Sequence, residues 1–229
     1  MYIPAATGES GSITDKRFME MMTNVANKVI PLIVFFVGLL GAGSAAAEGS
    51  AEAGKAKSMT CAGCHGVDGN SMNPEWPSLA GQHASYTARQ LAAFKDGSRS
   101  NPLMSAQAMM LSDQDMQDLA AYFAAQTLTP KAVANADTVD RGRTLYQGGD
   151  AAKGVTACIA CHGPTGIGNE PAGFPAIAGQ HATYAALQLR AYAKGERKTD
   201  APAKMMRDIA SRLSEDDIKA VSSYVQGLH

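Results

Sequence analysis

The sequence predicts an all-α protein built from two tandem copies of one small domain, and three observations carry that prediction. The second half repeats the first: Ala80-Gly81-Gln82-His83-Ala84-Ser85-Tyr86 returns as Ala178-Gly179-Gln180-His181-Ala182-Thr183-Tyr184, an offset of 98. Apolar residues recur at helical spacing, as in Met116, Leu119, Ala120 and Phe123, or Ile218, Val221 and Val225. No alternating run of useful length marks a strand. A period of that length is too long for a solenoid unit and suits a duplicated domain.

The elements follow in chain order. Lys28 precedes an almost unbroken apolar run, Val29 to Gly43, and then Ala45-Ala46-Ala47. A basic flank, about 7–15 apolar residues and a small-residue cleavage site make a secretory signal. Residues 1–47 are therefore expected to be a signal peptide cut after Ala47, or an uncleaved anchor that would keep the protein at a membrane surface. The first domain is expected over 48–126 and the second over 141–229. Residues 127–140, with Pro130 among small side chains, read as the linker.

In each copy an alanine-rich segment leads into a cysteine pair, and a Gly/Pro/Asn-rich loop (66–81; 163–179) follows it. Helices are expected over 83–96 and 181–194. Ser112 and Ser214, each with an acidic residue three positions on, look like caps of the final helices. The offset grows to 102 at these serines, so the second copy carries four extra residues after Arg197.

A net charge of −1 offers no clustered excess of Lys and Arg for nucleic acid. Residues 48–136 hold six basic and eight acidic groups, and 137–229 hold eleven and ten, a weak dipole between the copies. Only 6% of residues are aromatic, so ring packing alone would make a thin core. Something else must fill it.

All four cysteines fall in two copies of one pattern: Cys61-Ala62-Gly63-Cys64-His65 and Cys158-Ile159-Ala160-Cys161-His162. Cys-x-x-Cys-His is the attachment signature of c-type haem. The two thiols add across the vinyl groups, and the adjacent His reaches the iron from the proximal side. A zinc ribbon would place the second pair about 15–20 residues on and needs no His directly after each pair. Two covalent haems, one per copy, are expected.

The sixth iron position decides between electron transfer and chemistry, and a Met sulfur closes it. After His162 the chain offers only Met205 and Met206. Registering Ser112 on Ser214 sets Met104 opposite Met206, while Met205 faces Leu103, Met109 faces Ser211 and Met110 faces Arg212. One column is Met in both copies, so the expected iron ligands are His65 with Met104 and His162 with Met206. Met109, Met110 and Met116 are read as gap-fillers of an apolar core. His83 and His181, which open a helix in each copy, are read as structural residues near the contact between copies, and His229 as solvated.

Several motifs together resemble the cytochrome c4 family, the two-haem, two-lobe branch of the class I cytochromes c. They are Cys-x-x-Cys-His-Gly (61–66 and 158–163), Asp68-Gly69-Asn70-Ser71, Gly173-Phe174-Pro175, the twin Ala-Gly-Gln-His, and Ser222 through His229. The resemblance spans nearly all of 48–229. It implies two tandem class I cytochrome c domains, each wrapped around one haem, with the propionates near a polar interface. It also implies that the carbonyls of Pro77 and Pro175 hold the proximal imidazoles, a role that orients a ligand. The implied function is a monomeric periplasmic electron carrier between a cytochrome bc complex and a terminal oxidase. A haem-bearing subunit of a larger dehydrogenase would use the same haem chemistry. A two-haem peroxidase would need an open iron and a distal acid–base group, for which only the Gly-Gln-His histidines stand available.

Overall fold

The computed structural model describes residues 48–200 and 202–229, so the hydrophobic stretch read as a signal or anchor lies outside the described residues. Among those residues the structure is helical, with two isolated bridges, Asp150–Val155 and Asn169–Phe174. No helix there is long and apolar enough to cross a membrane.

The first lobe contains α1 (Ala51–Lys57), α2 (Met59–His65), α3 (Ala84–Lys95), α4 (Pro102–Met109) and α5 (Asp113–Ala124). The second contains α6 (Val139–Gly148), α7 (Ile159–His162), α8 (Ala182–Ala193), α9 (Met205–Ala210) and α10 (Glu215–Gln226). The 3₁₀ turn Ala136–Thr138 runs into α6, so the last residues of the stretch read as linker open the second lobe's first helix.

Local chemistry explains these helices. Ser112 and Ser214 form full capping boxes with Asp115 and Asp217, satisfying two orphan N–H groups at each start. Asn101 caps α4 with Pro102 at its first position, a pairing suited to helix starts. Helices α2 and α7 stop at Gly66 and Gly163, whose φ values are 82° and 76°. A side chain is disfavoured in that backbone region.

Helix α1 crosses α5, α6 crosses α10, and α3 and α8 pack beside them. At each crossing a glycine lets two backbones touch. A Cβ on Gly54 would lie 2.0 Å from the Asp118 carbonyl oxygen, and one on Gly142 would lie 2.3 Å from that of Ala220. Buried carboxylates fasten the same crossings. Asp118 accepts from Lys57 Nζ at 2.7 Å and from the Ser50 N–H at 2.9 Å. Asp217 accepts from Arg141 Nε at 2.8 Å and from Lys153. Leu119, Tyr122 and Phe123 form the first core, and Leu145, Tyr146, Val221 and Val225 the second.

Met116 is buried as expected, but Met109 and Met110 are not core residues: they are 66% and 84% exposed. They close the short α4 on its solvent side, where Ala108 rather than methionine turns inward.

Candidate functional site

A cavity of about 1220 Å³ runs through both lobes, beyond the roughly 300–1000 Å³ of one small-molecule pocket. Cys61, Cys64, His65, Pro77 and Met104 line it from the first lobe, and Cys158, Cys161, His162, Pro175 and Met206 from the second. Every residue expected from the sequence to hold a haem therefore borders one space. Leu79, Leu91, Phe94, Leu119 and Phe123, with Ile177, Leu189, Val221 and Val225, add apolar wall.

His65 ends the helix that carries Cys61 and Cys64, and His162 ends the one that Cys158 caps and Cys161 lies in. His65 Nδ1 donates to the Pro77 carbonyl at 2.9 Å, and His162 Nδ1 donates to the Pro175 carbonyl at 2.9 Å. A carbonyl only accepts, so the proton sits on Nδ1 and the lone pair on Nε2. Burial pulls both imidazoles below the usual histidine pKa, with the proline bonds opposing it. Both rings are thus held neutral, the form that binds metal. The proline segments are fixed in turn. Leu79 and Ala80 donate to the Gly69 carbonyl, and Ile177 and Ala178 to that of Gly166. Tyr122 Oη donates to the Val67 carbonyl, and Tyr146 Oη to that of Gly163.

The four thiols form no disulfide. Burial raises the Cys61 pKa and pushes Cys158 up to about 11, so neither is poised as a thiolate nucleophile. Among the described residues no group of three His, Cys, Asp or Glu could hold a metal ion, which leaves no zinc cluster there. Met104 and Met206 are half-buried in the first turns of α4 and α9. The Met104 N–H donates to Asn101 Oδ1 at 3.0 Å, which fixes the start of that helix. Met205 is more exposed, at 43%.

A polar cluster joins the two halves of the cavity. Arg99 donates to Gln90 Oε1, Tyr184 Oη and Gln188 Oε1, each at 2.9 Å. Arg197 donates to Gln188 Oε1 at 2.9 Å, Tyr86 Oη at 2.7 Å and Gln90 Oε1 at 3.0 Å. Both arginines are buried, and among the described residues neither meets a carboxylate. Two buried cations without counter-charge suit a ligand that brings acid groups. With the apolar walls, paired thiols and neutral imidazoles, the donor set fits two covalently held haems. The repeat displays Gln90/Gln188 and Arg99/Arg197, yet nothing in the sequence assigns them this role; a buried cation is visible only once the lobes pack.

His181 is buried and its Nε2 donates to the Ser71 carbonyl of the first lobe at 2.8 Å. His83 lies near Glu170, and its buried Nε2 has no partner among the described residues. The expected structural role near the lobe contact thus describes the position of both, although their partners differ.

The family model described as cytochrome c matches residues 51–126 and 139–229. The chain is 46% identical over 203 residues to cytochrome c4 of Pseudomonas aeruginosa, a match covering 89% of this chain and 100% of that protein. It is 40% identical over 169 residues to a thiosulfate dehydrogenase electron acceptor of Stutzerimonas stutzeri, covering 72% and 77% of the two chains. The crystal structure of reduced recombinant cytochrome c4 from Pseudomonas stutzeri superposes with a TM-score of 0.77 at 44% identity, covering 79% of this chain and 100% of that one.

Proposed function

We propose, from the premise that the chain belongs to the cytochrome c family as a two-domain, dihaem cytochrome c4, that it carries electrons in the periplasm from a quinol-oxidising cytochrome bc complex to a terminal oxidase. As a member of that family it holds two covalently bound haems c and is an electron-transfer protein, not an enzyme.

In this reading Cys61 and Cys64 would hold one haem through thioethers in the first lobe, and Cys158 and Cys161 the other in the second. His65 and Met104 would hold one iron, and His162 and Met206 the other. When bound, each haem supplies one-electron Fe(III)/Fe(II) chemistry. The protein's part is to keep both ligands in place through that change. Pro77 and Pro175 hold the imidazoles in one tautomer; the Asn101 cap fixes α4, which carries Met104, and the Ser214 cap fixes α10, which follows the helix of Met206. The apolar walls exclude water, and Arg99 and Arg197 supply the positive charge that buried acid groups require. Partners would dock through small, transient interfaces.

The observation that carries this reading is the pair of imidazoles, each donating Nδ1–H to a proline carbonyl and each bordering one cavity with the repeat-aligned methionine. The likeness to a dehydrogenase electron acceptor favours a second reading, in which the donor is a dehydrogenase rather than a bc complex. Optical and EPR spectra of the exported protein test the axial assignment, with haem counted per chain. Two low-spin haems are expected, with a Met–iron charge-transfer band that Met104→Ala and Met206→Ala each halve. A high-spin haem in the parent protein would overturn it. Reduction rates with isolated bc complex and with a thiosulfate-oxidising dehydrogenase separate the two donors.

A further inference from the structure

The glutamines of the twin Gly-Gln-His reach across the lobe contact. Gln180 Oε1 accepts from the Ser78 N–H at 2.9 Å, and its Nε2 donates to the Ser78 carbonyl at 3.0 Å. Gln82 repeats this on the other side. Its Oε1 accepts from the Ala176 N–H at 3.0 Å, and its Nε2 donates to the Ala176 carbonyl at 2.8 Å. Each glutamine grips the backbone of the opposite lobe with both ends of its amide.

The gripped residues are the ones that follow the two prolines. The Pro77 carbonyl and the Ser78 N–H belong to one planar peptide group. So do the Pro175 carbonyl and the Ala176 N–H. A continuous chain therefore runs from His65 Nδ1–H to the Pro77 carbonyl, through that peptide to the Ser78 N–H, and on to Gln180 Oε1. Its twin runs from His162 through Pro175 and Ala176 to Gln82. We propose that Gln180 and Gln82 are positioning residues for the opposite lobe's proximal histidine, so that each lobe sets the ligand strength of the other's haem. The proposal rests on His65 and His162 as iron ligands.

Two physical effects connect the amide to the imidazole. Hydrogen bonds in series polarise one another, so an acceptor on a peptide N–H makes that peptide's oxygen a better acceptor. A better acceptor on Nδ1–H raises the basicity of the imidazole as a metal ligand, which favours Fe(III) and lowers the reduction potential. Removing the glutamine amide reverses both steps, at the haem of the other lobe. The amide also fixes the peptide plane, so its loss frees the carbonyl to turn away from the imidazole.

The test uses the full haem-loaded protein with Gln180→Met and Gln82→Met, which keep side-chain length and remove the amide. Potentials are followed by NMR during redox titration. Signals of the axial methionine methyls in the reduced protein are assigned to lobes by their loss in Met104→Ala and Met206→Ala. Gln180→Met is expected to raise the potential of the first-lobe haem and leave the second at its parent value; Gln82→Met is expected to do the reverse. Ser85→Ala, which removes the neutral hydroxyl contact to Glu170 across the same interface, is expected to move neither. Shifts in the variant's own lobe, equal shifts in both haems, or no shift would overturn the proposal. Where a methionine variant does not assemble, Gln→Glu keeps an oxygen on the N–H, and the opposite haem should fall further than the near one; equal falls, or a larger fall at the near haem, would overturn it equally. A parent protein lacking axial-methionine signals would instead sink the axial assignment.

Discussion

Gly54 and Gly142 offer a sharp test of how the lobes are built. A methyl on Gly54 would meet the Asp118 carbonyl oxygen at 2.0 Å and the Tyr122 Cβ at 2.8 Å, where ordinary contact begins at 3.4 Å. Helix α1 would have to withdraw from α5 by more than an ångström, stretching the Ser50 and Lys57 bonds to Asp118. Alanine in a helix interior gains about 1 kcal/mol over glycine. Overpacking costs about 1–3 kcal/mol, and a clash with backbone belongs at the upper end. The expected net loss is about 1–2 kcal/mol for Gly54→Ala and for Gly142→Ala, or roughly 5–15 °C in Tm for a domain of this size. Thermal melts followed at the Soret band and by circular dichroism measure it. Gly63→Ala is the control: a Cβ there meets nothing within 4 Å among the described residues, and the other copy already has Ala160 at that place. It should be neutral or stabilising. A Gly54→Ala protein as stable as the parent would refute the claim that backbone contact sets these crossings.

Three further outcomes are expected. Lys57 holds the Asp118 carboxyl down to about 2, from an ordinary 3.8. That stability is present above the unfolded value and is lost as pH falls from about 3.8 toward 2; urea midpoints against pH should therefore fall less steeply in Asp118→Asn, and parallel curves would contradict this. Arg197→Met removes a buried positive charge beside the cavity and should lower haem potentials, because the charge disfavours Fe(III); redox titration reads it, and unchanged potentials would mean the guanidinium is offset. The first lobe, with eight acidic against six basic groups over 48–136, should hold the haem of lower potential; titration of single-lobe proteins giving the opposite order would defeat that.

Much of the fold is legible because its signals are local. The capping boxes at Ser112 and Ser214 mark the last helices to the residue, and the long helices run Ala84–Lys95 and Ala182–Ala193, inside the ranges their periodicity indicates. Helices α4 and α9 escape notice because eight and six residues give too little periodicity, although Asn101-Pro102 is a visible start signal. Gly54 and Gly142 escape for another reason. Their offset is 88, not 98, because the second lobe inserts the turn closed by the Asp150–Val155 bridge between its first helix and its cysteines. The haem motifs are legible because covalent attachment demands fixed spacing. The arginine cluster is not, since an arginine in sequence looks solvated until tertiary packing buries it.

The contact between lobes behaves like the interface of a two-fold dimer, where one patch serves on both sides. Gln82 and Gln180, Tyr86 and Tyr184, Gln90 and Gln188, and Arg99 and Arg197 occupy it as matched pairs. Such symmetry alone would give both haems the same surroundings, and two equal sites set no direction for an electron. The differences lie where the pairing fails. His181 finds the Ser71 carbonyl across the contact, while among the described residues His83 Nε2 finds no partner; the second lobe's loop carries the Asn169–Phe174 bridge. The lobe charges differ as well. The matched pairs can therefore couple the two haems, and the unmatched loop and charges can separate their potentials. A variant that restored a partner to His83 should narrow the gap between the two potentials without disturbing the glutamine bonds, and a widened gap would show that the asymmetry resides elsewhere.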